Sequence, residues 1–166
     1  MIDLSKYVDT GEPSNGSRPT FYNLLRAYVD NPSEEKFAII MLSGWIVLES
    51  YTNRLFLEEY GIHPYLREGE DKEKEQALID TLEEVNFETK CQLLKKNGIV
   101  SLDQYKAISN FQYERNRLFH ASSKNEVFKK LNNRTEQARL IEASRIAFDA
   151  IYEAVAKYYD SSVGQF

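Results

Sequence analysis

Residues 37–56 read FAIIMLSGWIVLESYTNRLF, and this stretch decides the fold. Apolar residues recur on nearly every side of a helix drawn through it, from Phe37 through Trp45 to Phe56. A helix that is apolar all round is enclosed by other helices, so the stretch predicts the centre of a helical bundle. Its longest apolar run, residues 37–48, has twelve residues, whereas a membrane span needs about twenty. We therefore expect no membrane association.

Helix signals continue on both sides of this central helix. Asn31-Pro32-Ser33-Glu34 predicts its start, with Asn31 as the cap and Pro32 in the first turn, and Gly61 predicts its end. No run has the two-residue period of a strand. The sequence therefore predicts an all-α bundle of about four long helices and one or two short ones. The other predicted helices cover residues 19–30, part of 70–84, 86–97, 101–121 and 134–159. Asn86 is the predicted cap of the third of these and Gly98 its stop, and Ser101 with Gln104 forms the capping box of the fourth.

The 166 residues are enough for one domain. We predict a turn-rich, mobile lead over residues 1–16, a single helical domain over 17–160 and a short tail over 161–166. The first residues contain neither an apolar run nor a basic lead, so they do not resemble a secretory signal. A cytoplasmic location is the resulting expectation, and it suits a chain whose only cysteine is Cys91.

Composition and charge exclude several classes of protein. A single cysteine excludes a disulfide scaffold, and two histidines, His63 and His120, leave too few ligands for a zinc site of Cys and His. The net charge of −5 argues against nonspecific coating of nucleic acid. However, residues 106–145 carry a net charge of +5 inside this acidic chain. We expect His63 to be a solvated or packing residue and Cys91 to be a small core residue.

One arginine interrupts the apolar face of the helix predicted over residues 101–121. A guanidinium on a buried stripe is costly unless it has a partner, and Glu49 on the central helix is the partner we expect. Asn116 and His120 lie four residues apart at the edge of the same arc. A purely structural alternative stays open: Arg115 as a core ion pair and His120 as a helix C-cap. The arc around Arg115 consists of Tyr105, Ile108, Phe111, Leu118 and Phe119.

The string Arg115-Asn116-Arg117-Leu118-Phe119-His120 resembles the R-N-x-x-x-H signature of HEPN domains. Its context, CQLLKKNGIVSLDQYKAISNFQYERNRLFH over residues 91–120, also looks similar: a short helix, a Lys-Asn-Gly-Ile turn and a capped long helix. The resemblance extends over about residues 37–159. It implies a helical domain that often dimerises and that is often a metal-independent endoribonuclease, although many family members are not nucleases.

The resemblance also implies roles for single residues. Arg115 and His120 match the catalytic pair of the family, and Asn116 matches the polar residue after the arginine. Some members use polar residues of a preceding helix, for which Glu49 and Asn53 are our candidates. The residue types suit such chemistry, because histidine transfers protons near neutral pH and arginine donates to phosphoryl oxygens. A two-fold dimer would bring two copies of Arg115 and His120 to one cleft.

The basic residues near the signature suggest how RNA would be held. Arg117, Lys124, Lys129 and Lys130, with Arg134 beyond them, are predicted to contact phosphates. We expect neither a metal nor a cofactor, and we expect a homodimer with RNA as its substrate, of the kind found in toxin–antitoxin or phage-defence systems. An antitoxin or a nucleotidyltransferase is a further expected partner. Two rivals remain: a non-catalytic module of the same fold that binds a nucleotide or a protein, and an interaction scaffold.

Overall fold

The computed structural model describes residues 17–60, 72–119 and 132–163, which contain six helices and no strand. The all-α bundle predicted from the sequence is thereby confirmed. None of the helices in these ranges is long and apolar enough to cross a membrane. The helices are α1 (Ser17–Asp30), α2 (Glu34–Glu59), α3 (Lys72–Glu83), α4 (Phe87–Lys96), α5 (Leu102–Phe119) and α6 (Arg134–Val163).

Helix α2 is the centre of the bundle, as its sequence predicts, but it is not enclosed on every side, because Ile39, Leu42 and Ile46 are exposed. It packs against each of the other five helices. Its inner side chains, including Phe37, Ile40, Met41, Leu48 and Leu55, are 0% exposed. Burial of such side chains is the main favourable contribution to folding, at roughly 1.5–3 kcal/mol for each large apolar residue.

Helices α2 and α6 run side by side in the same direction. The pairs along their contact are Gly44 with Ser144, Tyr51 with Tyr152, and Glu58 with Tyr159. Only a glycine fits at position 44, because a Cβ there would lie far inside van der Waals contact with Ser144 Oγ. The lack of a side chain at Gly44 therefore sets how closely the two longest helices approach.

Most helix ends follow the predicted signals. Asn86 Oδ1 accepts from Thr89 N at 2.9 Å, and Gly98 has a φ of 77° in the left-handed region. The capping box of α5 is also confirmed, since Gln104 N donates to Ser101 Oγ at 3.2 Å and Ser101 N donates to Gln104 Oε1 at 2.9 Å.

Two predicted ends were wrong. The N-cap of α2 is Ser33, whose Oγ accepts from Lys36 N at 3.2 Å, and not Asn31. Asn31 instead offers its carbonyl to Lys36 Nζ at 2.8 Å. Helix α6 continues to Val163 and so includes three residues of the predicted tail over 161–166, because no glycine or proline interrupts it before Gly164. The predicted lead over residues 1–16 lies outside the described residues.

Candidate functional site

The guanidinium of Arg115 lies over the ring of Trp45, with 4.5 Å between its central carbon and the ring centroid. Arg115 is half-buried on the side of α5 that faces α2. Its Nη1 also donates to the side-chain Oδ1 of its neighbour Asn116 at 3.1 Å. A guanidinium within about 6 Å of an aromatic face is held by a cation–π attraction. The structure thus gives Arg115 an aromatic contact, which the sequence analysis missed.

Three helices build the surroundings of Trp45. The Trp45 ring lies 4.8 Å from that of Phe87 at the start of α4, and 6.5 Å from that of Phe111 on α5. Phe111 and Arg115 are four residues apart and share one face of α5, so both reach the same indole. We call Trp45, Phe87 and Phe111 the aromatic seat. The apolar periodicity of α2 was a usable signal for it, since it placed Trp45 inside the bundle.

Glu49 does not pair with Arg115 as expected. Its side chain is exposed, on the turn of α2 that follows Trp45, and no ion pair within the described ranges joins the two residues. The physical reason is that the position facing α5 is occupied by the indole one turn earlier. The role of Glu49 as a supporting residue of the site stays a prediction.

Asn53, the second supporting candidate, holds a buried lysine. Its Oδ1 accepts from Lys90 Nζ at 2.9 Å, and Lys90 is only 4% exposed on α4. The ammonium also lies 5.8 Å from the centroid of the Phe56 ring. The sequence analysis missed Lys90, although its spacing from Phe87 and Leu94 places it on the inner face of α4. Asn53 therefore has a structural partner of its own.

Arg117 lies on the other side of α5, about 200° around the helix from Arg115. Its Nη1 contacts Glu114 Oε2 at 3.2 Å, and its guanidinium lies 5.7 Å from the centroid of the exposed Tyr113 ring. The structure therefore does not bring Arg117 together with Arg115, because residues two apart on a helix point to nearly opposite sides of it. A phosphate contact from Arg117 stays a prediction, but on a different surface.

Glu114 is the second functional-looking residue that the sequence analysis missed. It is 7% exposed, and Arg139 of α6 donates to both of its carboxylate oxygens at 2.8 Å. The hydrogen bonds from Arg139 hold the pKa of the Glu114 carboxyl below its usual range. Arg139 is bound in addition by Glu136 at 2.7 Å. We call Glu114, Arg117, Arg139 and Glu136 the carboxylate clamp, which ties α5 to α6.

The apolar arc of α5 is covered within the chain. Ile108, Phe111 and Leu118 are at most 2% exposed, because α2, α4 and α6 pack on them. These three residues of the arc are therefore part of the core of the bundle. Exposed apolar residues occur instead on α2, where Ile39, Leu42 and Ile46 are 41%, 55% and 54% exposed at helical spacing. We call these three residues the α2 stripe.

The remaining candidates have simple outcomes. Cys91 is a buried core residue as predicted, and burial raises the pKa of its thiol to about 12. Within the described parts of the chain, no three His, Cys, Asp or Glu residues cluster in a way that could hold a metal ion. His63, His120, Lys124, Lys129 and Lys130 lie outside the described residues. The predictions for them stay as they were made.

Comparisons with known proteins give this chain no relative. No family model matches it, and neither a curated protein nor a solved structure matches it. Arg115 and Asn116 on α5, together with the aromatic seat, form the candidate functional site of the described residues.

Proposed function

We propose that the chain is a metal-independent endoribonuclease of the HEPN type, in which Arg115 and His120 act on the scissile phosphate. The observation that carries the proposal is the setting of Arg115. The guanidinium of half-buried Arg115 lies over the Trp45 ring and donates a hydrogen bond to Asn116, and Arg115 stands five residues before the histidine of the same motif. An arginine held at the border of core and solvent can receive an anion without unfolding its surroundings.

The reaction that suits these residues is attack by the 2′-oxygen of RNA on the adjacent phosphorus. A general base removes the 2′-OH proton, the bond to the 5′-oxygen breaks, and a general acid returns a proton to that oxygen. The products are a 2′,3′-cyclic phosphate and a 5′-OH end. Arg115 stabilises the charge on the phosphoryl oxygens, and His120 transfers protons near neutral pH. Asn116 keeps the guanidinium in place through its side-chain oxygen.

Two histidines are needed for a base and an acid, and we propose that a second copy of the chain supplies the other His120. The α2 stripe is the surface that we assign to this homodimer. It runs along α2 past Trp45, so contact between two stripes would bring the two aromatic seats towards each other. Exposed apolar residues in one row are typical of interaction surfaces.

The proposed activity is tested by digesting an end-labelled RNA in excess EDTA. Cleavage should persist, should leave 2′,3′-cyclic phosphate and 5′-OH ends, and should stop at a site with a 2′-deoxy sugar. His120→Ala should lower the rate by about 10²–10⁴-fold. His63→Ala is the matched control, because it removes the only other histidine of the chain, and it should cleave as the parent does.

Activity that requires added magnesium, or equal cleavage of the 2′-deoxy substrate, would refute this mechanism. Tight RNA binding without any cleavage would assign the same surface to the non-catalytic nucleotide- or protein-binding module. An antitoxin or a nucleotidyltransferase, proposed as a partner, would then be the next ligand to test.

The proposed dimer is tested by light scattering. The parent should have about twice the 19.3 kDa mass of one chain. Leu42→Lys should produce monomers, since it places a charge in the middle of the α2 stripe. Leu102→Lys is the matched control, because Leu102 is equally exposed, at 56%, but lies at the start of α5. A monomeric parent, or a dimeric Leu42→Lys variant, would contradict the assigned surface.

A further inference from the structure

Trp45 is the only tryptophan of the chain, and the guanidinium of the candidate catalytic arginine lies on it. We propose that Trp45 is a positioning residue, whose indole holds Arg115 in the orientation in which it receives the scissile phosphate. The inference rests on the proposed function, and it deepens it by giving Trp45, which lies outside the motif, a role in holding Arg115.

The aromatic seat is rigid enough for this role. Its indole is packed between α4 and α5 by Phe87 at 4.8 Å and Phe111 at 6.5 Å. Gly44, the preceding residue, closes α2 against α6. The Trp45 ring is thus packed against residues of α4 and α5, and a tryptophan has only two side-chain torsions to restrict. A fixed indole gives Arg115 a fixed plane to lie on.

The contacts of Arg115 with Trp45 and with Asn116 restrict different motions. The central carbon of the guanidinium lies over the indole, 4.5 Å from the ring centroid, whereas the hydrogen bond from Nη1 to Asn116 uses an N–H at the edge of the group. Phosphate oxygens are bound by N–H groups on the edge, so stacking on Trp45 does not use the groups that a phosphate needs. A stacked guanidinium can therefore bind a phosphate and stay stacked.

Glu114 and Arg139 show the opposite arrangement in the same molecule. There a carboxylate takes two N–H groups of the guanidinium at 2.8 Å, and these are the groups that would bind a phosphate in its place. An anion arriving at Arg139 must displace Glu114. An anion arriving at Arg115 need not displace Trp45, which is why an aromatic partner suits a positioned catalytic arginine.

The proposal makes a spectroscopic prediction that does not need activity. Acrylamide quenching of Trp45 fluorescence measures how well the indole is covered. Arg115→Ala should raise the quenching slope clearly above that of the parent, because it uncovers one face of the ring. Saturation of the parent with a short all-2′-deoxy oligonucleotide should leave the slope low, since Arg115 binds phosphate while it stays stacked.

The second test is kinetic. Rates are compared per folded molecule, with the folded fraction of each variant determined by circular dichroism. Trp45→Leu should lower kcat by about tenfold with KM changed less than threefold, because the loss falls on orientation in the transition state. Trp45→Phe keeps an aromatic face and should recover most of kcat. In an Arg115→Ala background, Trp45→Leu should cause no further weakening of oligonucleotide binding.

Three results would overturn the inference: equal quenching slopes for the parent and Arg115→Ala, a slope that rises to the Arg115→Ala level when oligonucleotide binds, or an unchanged kcat in Trp45→Leu. Failure of the proposed function is seen separately, as a parent that cleaves no RNA. In that case the quenching slopes and the binding measurements still decide whether Trp45 positions Arg115 towards an anion.

Discussion

Arg115 and Arg117 are two residues apart, and their side chains lie on opposite sides of α5. Arg115 lies on the Trp45 ring towards α2, whereas Arg117 joins the carboxylate clamp, where Arg139 and Glu136 belong to α6. The clamp sets two guanidinium groups against two carboxylates, one of them buried. Its charged groups pair with one another and connect α5 to α6. The two side chains are chemically identical, so their positions around α5 decide which arginine is structural and which is the candidate catalytic one.

The largest effect is expected from removing the two arginines one at a time. Arg115→Ala should lower RNA cleavage by about 10²–10³-fold, as loss of an oxyanion-stabilising donor does. Arg117→Ala should keep kcat within about threefold, because its side chain lies on the far side of α5 and a lost phosphate contact there would affect KM. Initial rates at saturating RNA would measure both. Equal losses in the two variants would break the comparison.

The clamp should respond in stability and not in cleavage. Glu114→Ala removes the buried carboxylate but leaves Arg117 and Arg139 partly in water, at 45% and 43% side-chain exposure, so we expect a loss of about 2 kcal/mol in the free energy of unfolding. Cleavage per folded molecule should stay near that of the parent. Glu136→Ala is the control, since its pair with Arg139 is more exposed and is worth about 0.5 kcal/mol. Urea denaturation measures both, and a loss below 1 kcal/mol for Glu114→Ala would contradict the clamp.

The stability that Glu114 contributes should depend on pH, and this effect is smaller than the two above. The pKa of Glu114 is lowered in the folded state, so its stabilising contribution is complete above the unfolded-state pKa of about 4.3. It is lost as the pH falls through the lower, folded-state pKa. The stability difference between the parent and Glu114→Gln should therefore be constant near neutral pH and shrink in strong acid. If the stability difference grew towards acid pH, the pKa of Glu114 would be raised on folding and not lowered.

Much of the fold could be predicted because local signals decide it. The apolar residues of α2, the Asn86 and Ser101 caps and the Gly98 stop are each recognisable within a few residues of sequence. The cap of α2 was missed because Asn31 and Ser33 both fit the pattern, and the choice between them depends on where Lys36 N points. Helix α6 was predicted to end too early, although residues 160–163 contain neither glycine nor proline and the first stop signal is Gly164.

The site could be predicted only in part. Helical geometry correctly placed Arg115 on the inward face of α5, but it says nothing about which residue of another helix lies opposite. Glu49 was chosen by charge, whereas packing put Trp45 there. Glu114 escaped notice for the same reason, since its partner Arg139 is 25 residues away in sequence. Long-range partners follow from how helices pack, and a single sequence does not record that directly.

The parallel pairing of α2 with α6 also has a consequence for how the chain folds during synthesis. Glu58 and its partner Tyr159 are separated by 101 residues, so the helix that forms the centre of the core must wait for the last one. At about 5–20 residues per second, a ribosome needs on the order of 5–20 s to make that stretch. Throughout this interval, the side of α2 that α6 will cover has no native partner. Contact order of this kind slows folding relative to up-and-down bundles, and it makes α2 the segment of the nascent chain that chaperones are expected to bind.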